Sequence, residues 1–168
     1  MRSKNFVRAL LSALLFASMT PSSFAETRGA VTNLPIPRFV SMKASEANVR
    51  RGPSLTHRID WVYKHRNMPL EITAEFGHWR RVRDMDGVGG WVHFTLLSGV
   101  RTVVITKDLT KLLSHPKDNA LPTAELKAGV IARLQDCNPD WCELNADGYK
   151  GWAPKSNYWG VGVGEIRD

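Results

Sequence analysis

Two cysteines, five histidines and sixteen carboxylates are the side chains of this 168-residue chain with the greatest catalytic potential. Cys137-Asn-Pro-Asp-Trp-Cys142 puts both thiols in one short stretch, which in an exported protein reads as a local disulfide, with two free thiols or a metal pair as alternatives. A zinc site needs further ligands at fixed spacing, and His57, His65, His78, His93 and His115 form no paired or HExxH motif. A cysteine nucleophile needs a His base, whereas these two cysteines suit each other better. Asp84 and Asp86 flank a turn and read as solvated turn formers. Gly160-Val-Gly-Val-Gly164 is glycine-rich, but no helix pattern follows it, so a phosphate cradle is not supported. With no nucleophile–base pair and no metal set, the expectation is a non-enzymatic protein without cofactor or metal.

Binding chemistry is better represented. Arg50 and Arg51, with Arg80, Arg81 and Arg83, offer long-range attraction to carboxylates, while Trp61, Tyr63, Trp141 and Tyr158 offer apolar contact. A basic, aromatic barrel could also hold nucleic acid, but the leader argues for export and against that partner. Arg2, Lys4 and Arg8 precede an apolar run from Ala9 to Phe16, and Ser23-Phe24-Ala25 supplies small residues at the cleavage positions. Residues 1–25 therefore read as a signal peptide, the run being short of the roughly 20 residues a membrane span requires. No cysteine follows the proposed cut to carry a lipid. The expected product is periplasmic or secreted, without stable membrane insertion.

Removing that leader takes three of the 23 basic residues and none of the 16 acidic ones, so the net charge falls from +7 to +4. Between Arg38 and Arg101 eleven Lys and Arg face six Asp and Glu, whereas Thr102 to Gly160 carries seven of each. An anionic partner should meet the first half.

These residues must be positioned by a repeat. Val49-Arg-Arg-Gly-Pro53 aligns with Leu112-Leu-Ser-His-Pro116, Trp79-Arg-Arg-Val82 with Trp141-Cys-Glu-Leu144, and Gly90-Trp91-Val92 with Gly151-Trp152-Ala153. The offset drifts only from 63 to 61 residues. Short alternating or β-branched runs between Gly, Pro, Asn and Asp predict strands throughout, and Asp86-Gly87 and Asp147-Gly148 predict tight turns. Two units of about 55 to 60 residues are each marginal alone and gain stability by packing together. Trp91 and Trp152, following the repeated glycines, are expected in the two cores. If Val82 and Leu144 point inward, Trp79 and Trp141 lie on the opposite face, unless a bulge turns them in.

The order Asn48-Val-Arg-Arg-Gly-Pro53, variable loop, Trp79-x-x-Val82, Asp-Gly turn and Gly90-Trp91-Val92 resembles the bacterial SH3 domain, and the second half repeats it more loosely. The resemblance implies an all-β fold of two tandem small SH3-like β-barrels. Residues 26–37 would be an extended lead-in, 38–100 the first barrel, 101–160 the second and 161–168 a tail. It implies no catalysis and work in the bacterial envelope, on peptidoglycan or on another domain. Gly151-Trp-Ala-Pro154-Lys-Ser-Asn157-Tyr158 is also similar to the Gly-x-x-Pro-x-Asn-Tyr stretch of eukaryotic SH3 domains, with one extra residue. Trp141, Pro154, Asn157 and Tyr158 are thus candidates for an extended-peptide groove, or else Tyr158 caps the barrel. The partners implied are a cell-wall polymer, an extended peptide or an envelope protein.

Overall fold

The computed structural model describes residues 27–168, so the proposed signal peptide lies outside the described residues. The chain forms two seven-stranded antiparallel sheets and no α-helix among those residues. The first contains β1 (Arg38–Met42), β2 (Ala47–Arg50), β3 (Ile59–Tyr63), β4 (Pro69–Phe76), β5 (Trp79–Arg83), β6 (Gly89–His93) and β7 (Leu97–Ser98). The second contains β8 (Thr102–Ile105), β9 (Thr110–Leu113), β10 (Pro122–Leu126), β11 (Ile131–Cys137), β12 (Trp141–Ala146), β13 (Tyr149–Pro154) and β14 (Tyr158–Trp159). Their orders, β3-β2-β6-β5-β4-β1-β7 and β10-β9-β13-β12-β11-β8-β14, are the same sequence of strands. A 3-10 turn precedes the last strand of each (Phe94–Leu96 and Lys155–Asn157). The chain is therefore all-β, with two tandem barrels of one topology.

Each barrel wraps its own core. Val40, Met42, Val49, Leu70, Ile72, Val82 and Val92 fill the first, and Val103, Ile105, Leu112, Leu134, Leu144 and Ala153 are among those that fill the second. Each fully buried Val, Leu or Ile stabilises by about 1.5–3 kcal/mol. Strand parity decides which aromatics join them. Val82 pairs with Gly90 and Leu144 with Gly151, so Val92 and Ala153 return to the inner face and Trp91 and Trp152 turn outward. Both tryptophans are only half-buried and belong to neither core, which corrects their expected role. No register shift interrupts β5–β6 or β12–β13, so Trp79 and Trp141 share that outer face, half-buried.

Ahead of β1 the chain is not extended, as its prolines suggested, but folds back through an isolated bridge between Arg28 and Pro35. The Glu75 carboxylate is the reason. It accepts the Val31 and Thr32 backbone N–H groups (3.0 and 2.8 Å) and the Thr32 hydroxyl (2.7 Å), and it pairs with Arg38 (2.6 Å). Burial opposes its ionisation, but those donors together hold its pKa near 2. Residues 161–168 are likewise no free tail. Cys137 donates its N–H to the Arg167 carbonyl (2.7 Å), and the Arg167 N–H returns to Cys137 (3.0 Å).

The two barrels meet along a seam. Phe39 of β1 and Trp159 of β14 pack edge to face with centroids 5.0 Å apart, and the Arg101 guanidinium lies 5.5 Å from the Phe39 centroid. The Thr102 hydroxyl donates to the Asn67 carbonyl across the same seam (2.7 Å).

Candidate ligand-binding faces

The β5–β6 register places Trp79 opposite His93, Arg81 opposite Trp91 and Arg83 opposite Gly89, all on the outer face of the first barrel. Only glycine fits at Gly89 and Gly90. A Cβ at Gly89 would strike the Val82 carbonyl, and at Gly90 it would lie 2.7 Å from the Arg50 carbonyl. At one end of this face Trp79 meets the His93 ring edge-on at 5.4 Å. Phe94 lies 5.2 Å from His93 and stacks on His78 at 5.6 Å. The Phe94 N–H donates to the His78 carbonyl (2.9 Å), which ties the β4–β5 turn to the 3-10 turn and holds the cluster together. Phe94 remains 44% exposed. Sequence reasoning missed His78, His93 and Phe94 as site residues. The repeat contained the signal, because His93 stands where Pro154 stands in the second unit.

Further along that face, Thr73, Arg81, Arg83 and the backbone of Gly87, Gly89 and Gly90 line a polar pocket of about 290 Å³. Arg83 is ion-paired with Glu71. Arg81 is exposed, and no ion pair engages it among the described residues.

Arg50 and Arg51 prove to be loop fasteners. Arg50 donates to the Leu55 and His57 carbonyls (2.9 and 2.7 Å) and so closes the loop between β2 and β3 on itself. Arg51 shares the Asp60 carboxylate with Arg58 (3.0 and 2.6 Å), and these hydrogen bonds, Arg51 first, hold the Asp60 pKa below its ordinary value. Trp61 is 48% exposed on edge strand β3, flanked by exposed Ile59 and Val62. Tyr63, by contrast, is buried and its hydroxyl donates to the Val88 carbonyl (2.7 Å), so it belongs to the core and offers no ligand contact. Burial, reinforced by the nearby Asp84 charge, pushes its pKa up.

In the second barrel Trp141 sits opposite Pro154. The two line a groove of about 410 Å³ with Pro139, Asp140, Lys155 and, on its far side, residues 161–164. Glu165 anchors that far side through the Arg101 guanidinium (2.7 and 3.1 Å) and the Gly162 N–H (2.9 Å). Partial burial disfavours the Glu165 charge, yet these donors keep its pKa below the ordinary value.

The other two groove candidates do not join it. Tyr158 is buried because β14 pairs with β8, Tyr158 facing Ile105, and its hydroxyl points to the Ala153 carbonyl (3.3 Å). Burial raises its pKa. Asn157 sits in the 3-10 turn, where its carbonyl accepts the Thr106 and Lys107 N–H groups (2.9 and 3.1 Å). Both are corrected to structural residues. Cys137 and Cys142 are joined as a disulfide at the β11–β12 end of the groove.

Among the described residues no group of three or more His, Cys, Asp or Glu could hold a metal ion, and no helix is long and apolar enough to cross a membrane. Solved structures that resemble the chain include two from one organism. The NlpC2 protein of Trichomonas vaginalis is 13% identical over 74% of this chain and 48% of its own, with a TM-score of 0.35. The NlpC1 protein of the same organism is 14% identical over 88% of this chain and 51% of its own, also with a TM-score of 0.35. The chain thus spans about half the length of either. No curated protein matches it. The family model of the bacterial SH3 domain matches residues 43–99 and again residues 106–160. With one copy in each barrel and most of its length accounted for, the chain belongs to the bacterial SH3 domain family.

Proposed function

We propose that this protein is an exported, non-enzymatic binding module that grips peptide-containing cell-wall polymer through the outer faces of its barrels. The observation that carries this reading is the duplicated platform: Trp79 beside His93 and Trp141 beside Pro154 occupy the same register position on the same outward face. A flat aromatic beside a Pro or His suits an extended peptide, whose backbone and small side chains can lie across the rings. The excess of basic residues in the first barrel favours a carboxylate-rich polymer, and the disulfide favours an oxidising compartment such as the periplasm.

Co-sedimentation of the purified protein with cell-wall sacculi tests the proposal. Retention by sacculi alone, weakened by Trp79→Ala and by raised salt, is expected. Protein that stays in the supernatant with sacculi alone overturns it.

The groove of the second barrel favours a second reading, an adaptor that docks on another envelope protein. Trp141, Pro154 and residues 161–164 line one groove, room enough for a single peptide segment. Sedimentation that requires a proteinaceous envelope extract and is lost in Trp141→Ala would favour that adaptor role.

A further inference from the structure

The aromatic platform of the first barrel leads into a groove. Trp79, His93 and Phe94 form an unbroken run of rings, with 5.4 and 5.2 Å between successive centroids. Phe94 also lines a groove of about 320 Å³ together with Leu34, Phe39, Ile72 and Leu97. A peptide lying across Trp79 and His93 therefore continues over Phe94 into this groove.

The N-terminal turn supplies one wall. Leu34, half-exposed, belongs to the segment that Glu75 fastens through the Val31 and Thr32 N–H groups. Glu75 stands opposite Arg80, the position that Cys137 and Cys142 occupy in the second barrel. There Cys137 fastens the C-terminal segment at Arg167, and residues 161–164 of that segment border the groove of Trp141 and Pro154. Each barrel thus has a groove walled by a terminal segment that is tied down at one equivalent position.

The polar side chains lining the first groove are turned to partners within the protein. The Thr32 hydroxyl donates to Glu75 (2.7 Å), and Arg38 donates to Glu75 (2.6 Å) and to the Pro35 carbonyl (3.3 Å). Arg80 donates to the Gly77 and Trp79 carbonyls (both 2.9 Å) and lies 3.5 Å from Glu75. The two guanidiniums outnumber Glu75 by one charge, but their side chains are only 17% and 8% exposed. Ser98 Oγ accepts the Val100 N–H (3.2 Å). A polar ligand group would give up water there for little return, whereas an apolar one meets Leu34, Phe39, Phe94 and Leu97.

We propose that this groove is a subsite for one apolar side chain of the same extended peptide that crosses Trp79 and His93. The proposal rests on the outer-face binding proposed above and adds what the neighbouring groove selects.

The test follows the Trp79 indole N–H signal of the full mature chain by NMR. The probes are three synthetic peptides X-Ala-Glu-Ala-X, acetylated and amidated at their ends, with X as Leu, Ala or Glu. The same residue at both ends lets either direction of binding present it to the groove. The Leu form should bind about five- to thirtyfold more tightly than the Ala form, the scale for burying a leucine side chain in place of a methyl, and the Glu form no more tightly than the Ala form. Leu34→Thr, on an exposed turn, should bring the Leu and Ala affinities together. Glu75→Gln, which loosens the hold on that turn, should narrow the same ratio while the Ala form still moves Trp79. If all three forms move Trp79 with equal affinity, or if the preference for Leu survives both variants, the groove is no subsite and outer-face binding stands. A Glu form that binds most tightly overturns the apolar assignment. If no form moves the Trp79 signal, outer-face binding fails and the subsite with it.

Discussion

The Arg38 guanidinium and the Glu75 carboxylate meet at 2.6 Å beneath the N-terminal turn, with the Glu75 side chain wholly shielded from solvent. Arg80 approaches the same carboxylate at 3.5 Å from the other side. One carboxylate thereby fastens residues 31–32 and β1 to β4.

Its pH dependence follows. Because the folded pKa lies near 2 against an ordinary 4.5, Glu75 stabilises the fold fully above about pH 4.5 and loses that contribution as pH falls toward 2. A shift of that size corresponds to about 3 kcal/mol. Glu75→Gln should lower the melting temperature at pH 7 and flatten its decline between pH 4.5 and 2, as thermal melts across that range would show.

Trp91→Ala should cost less than Leu70→Ala. Leu70 is fully buried, and truncating such a residue costs about 2–5 kcal/mol, whereas Trp91 lies half-exposed on the outer face. Urea midpoints compare them directly; a Trp91→Ala variant at least as unstable as Leu70→Ala would place that ring in the core after all.

Reduction of the Cys137–Cys142 bond should destabilise the second barrel by about 2 kcal/mol, the chain-entropy value for so short a loop. Mass analysis after alkylation of unfolded, unreduced protein should find no labelled thiol. The first barrel, which contains no cysteine, should melt unchanged.

Arg50→Ala should loosen the β2–β3 loop, because two carbonyls, those of Leu55 and His57, lose their donor. Faster amide exchange confined to residues 54–58, with the remaining strands still protected, is the expected signature. Charge reversal at Arg50 should do the same, so weakened ligand binding by such a variant would partly report loop order.

Architecture was legible in the sequence because the repeat carries it. The Gly-Trp and Trp-x-x-Val positions and the Asp-Gly turns specify strand pairing at short range, and the strand order of the second barrel copies the first. The residues of the site were harder to place, since a tyrosine's type does not say which face it takes. Tyr63 and Tyr158 are the last and first residues of strands whose parity turns them inward, and Trp91 and Trp152 turn outward by the same rule. Val82 and Leu144, read as inward, already contained that answer when carried across the hairpin to Gly90 and Gly151. Arg50 was unreadable for a different reason: its partners are carbonyls, which leave no mark in a sequence.

The seam between the barrels acts as a ruler. Ser98 ends β7 and Thr102 begins β8, and with so short a link braced by Phe39 on Trp159 and by Thr102 on Asn67, the two faces cannot swing freely about one another. If both outer faces bind as proposed, two individually feeble grips at a fixed separation multiply when a polymer offers matching points, by about 10²- to 10⁴-fold over either alone, and gain nothing when it does not. Spacing along the strand of polymer, more than the chemistry at any one point, would then decide what this protein retains.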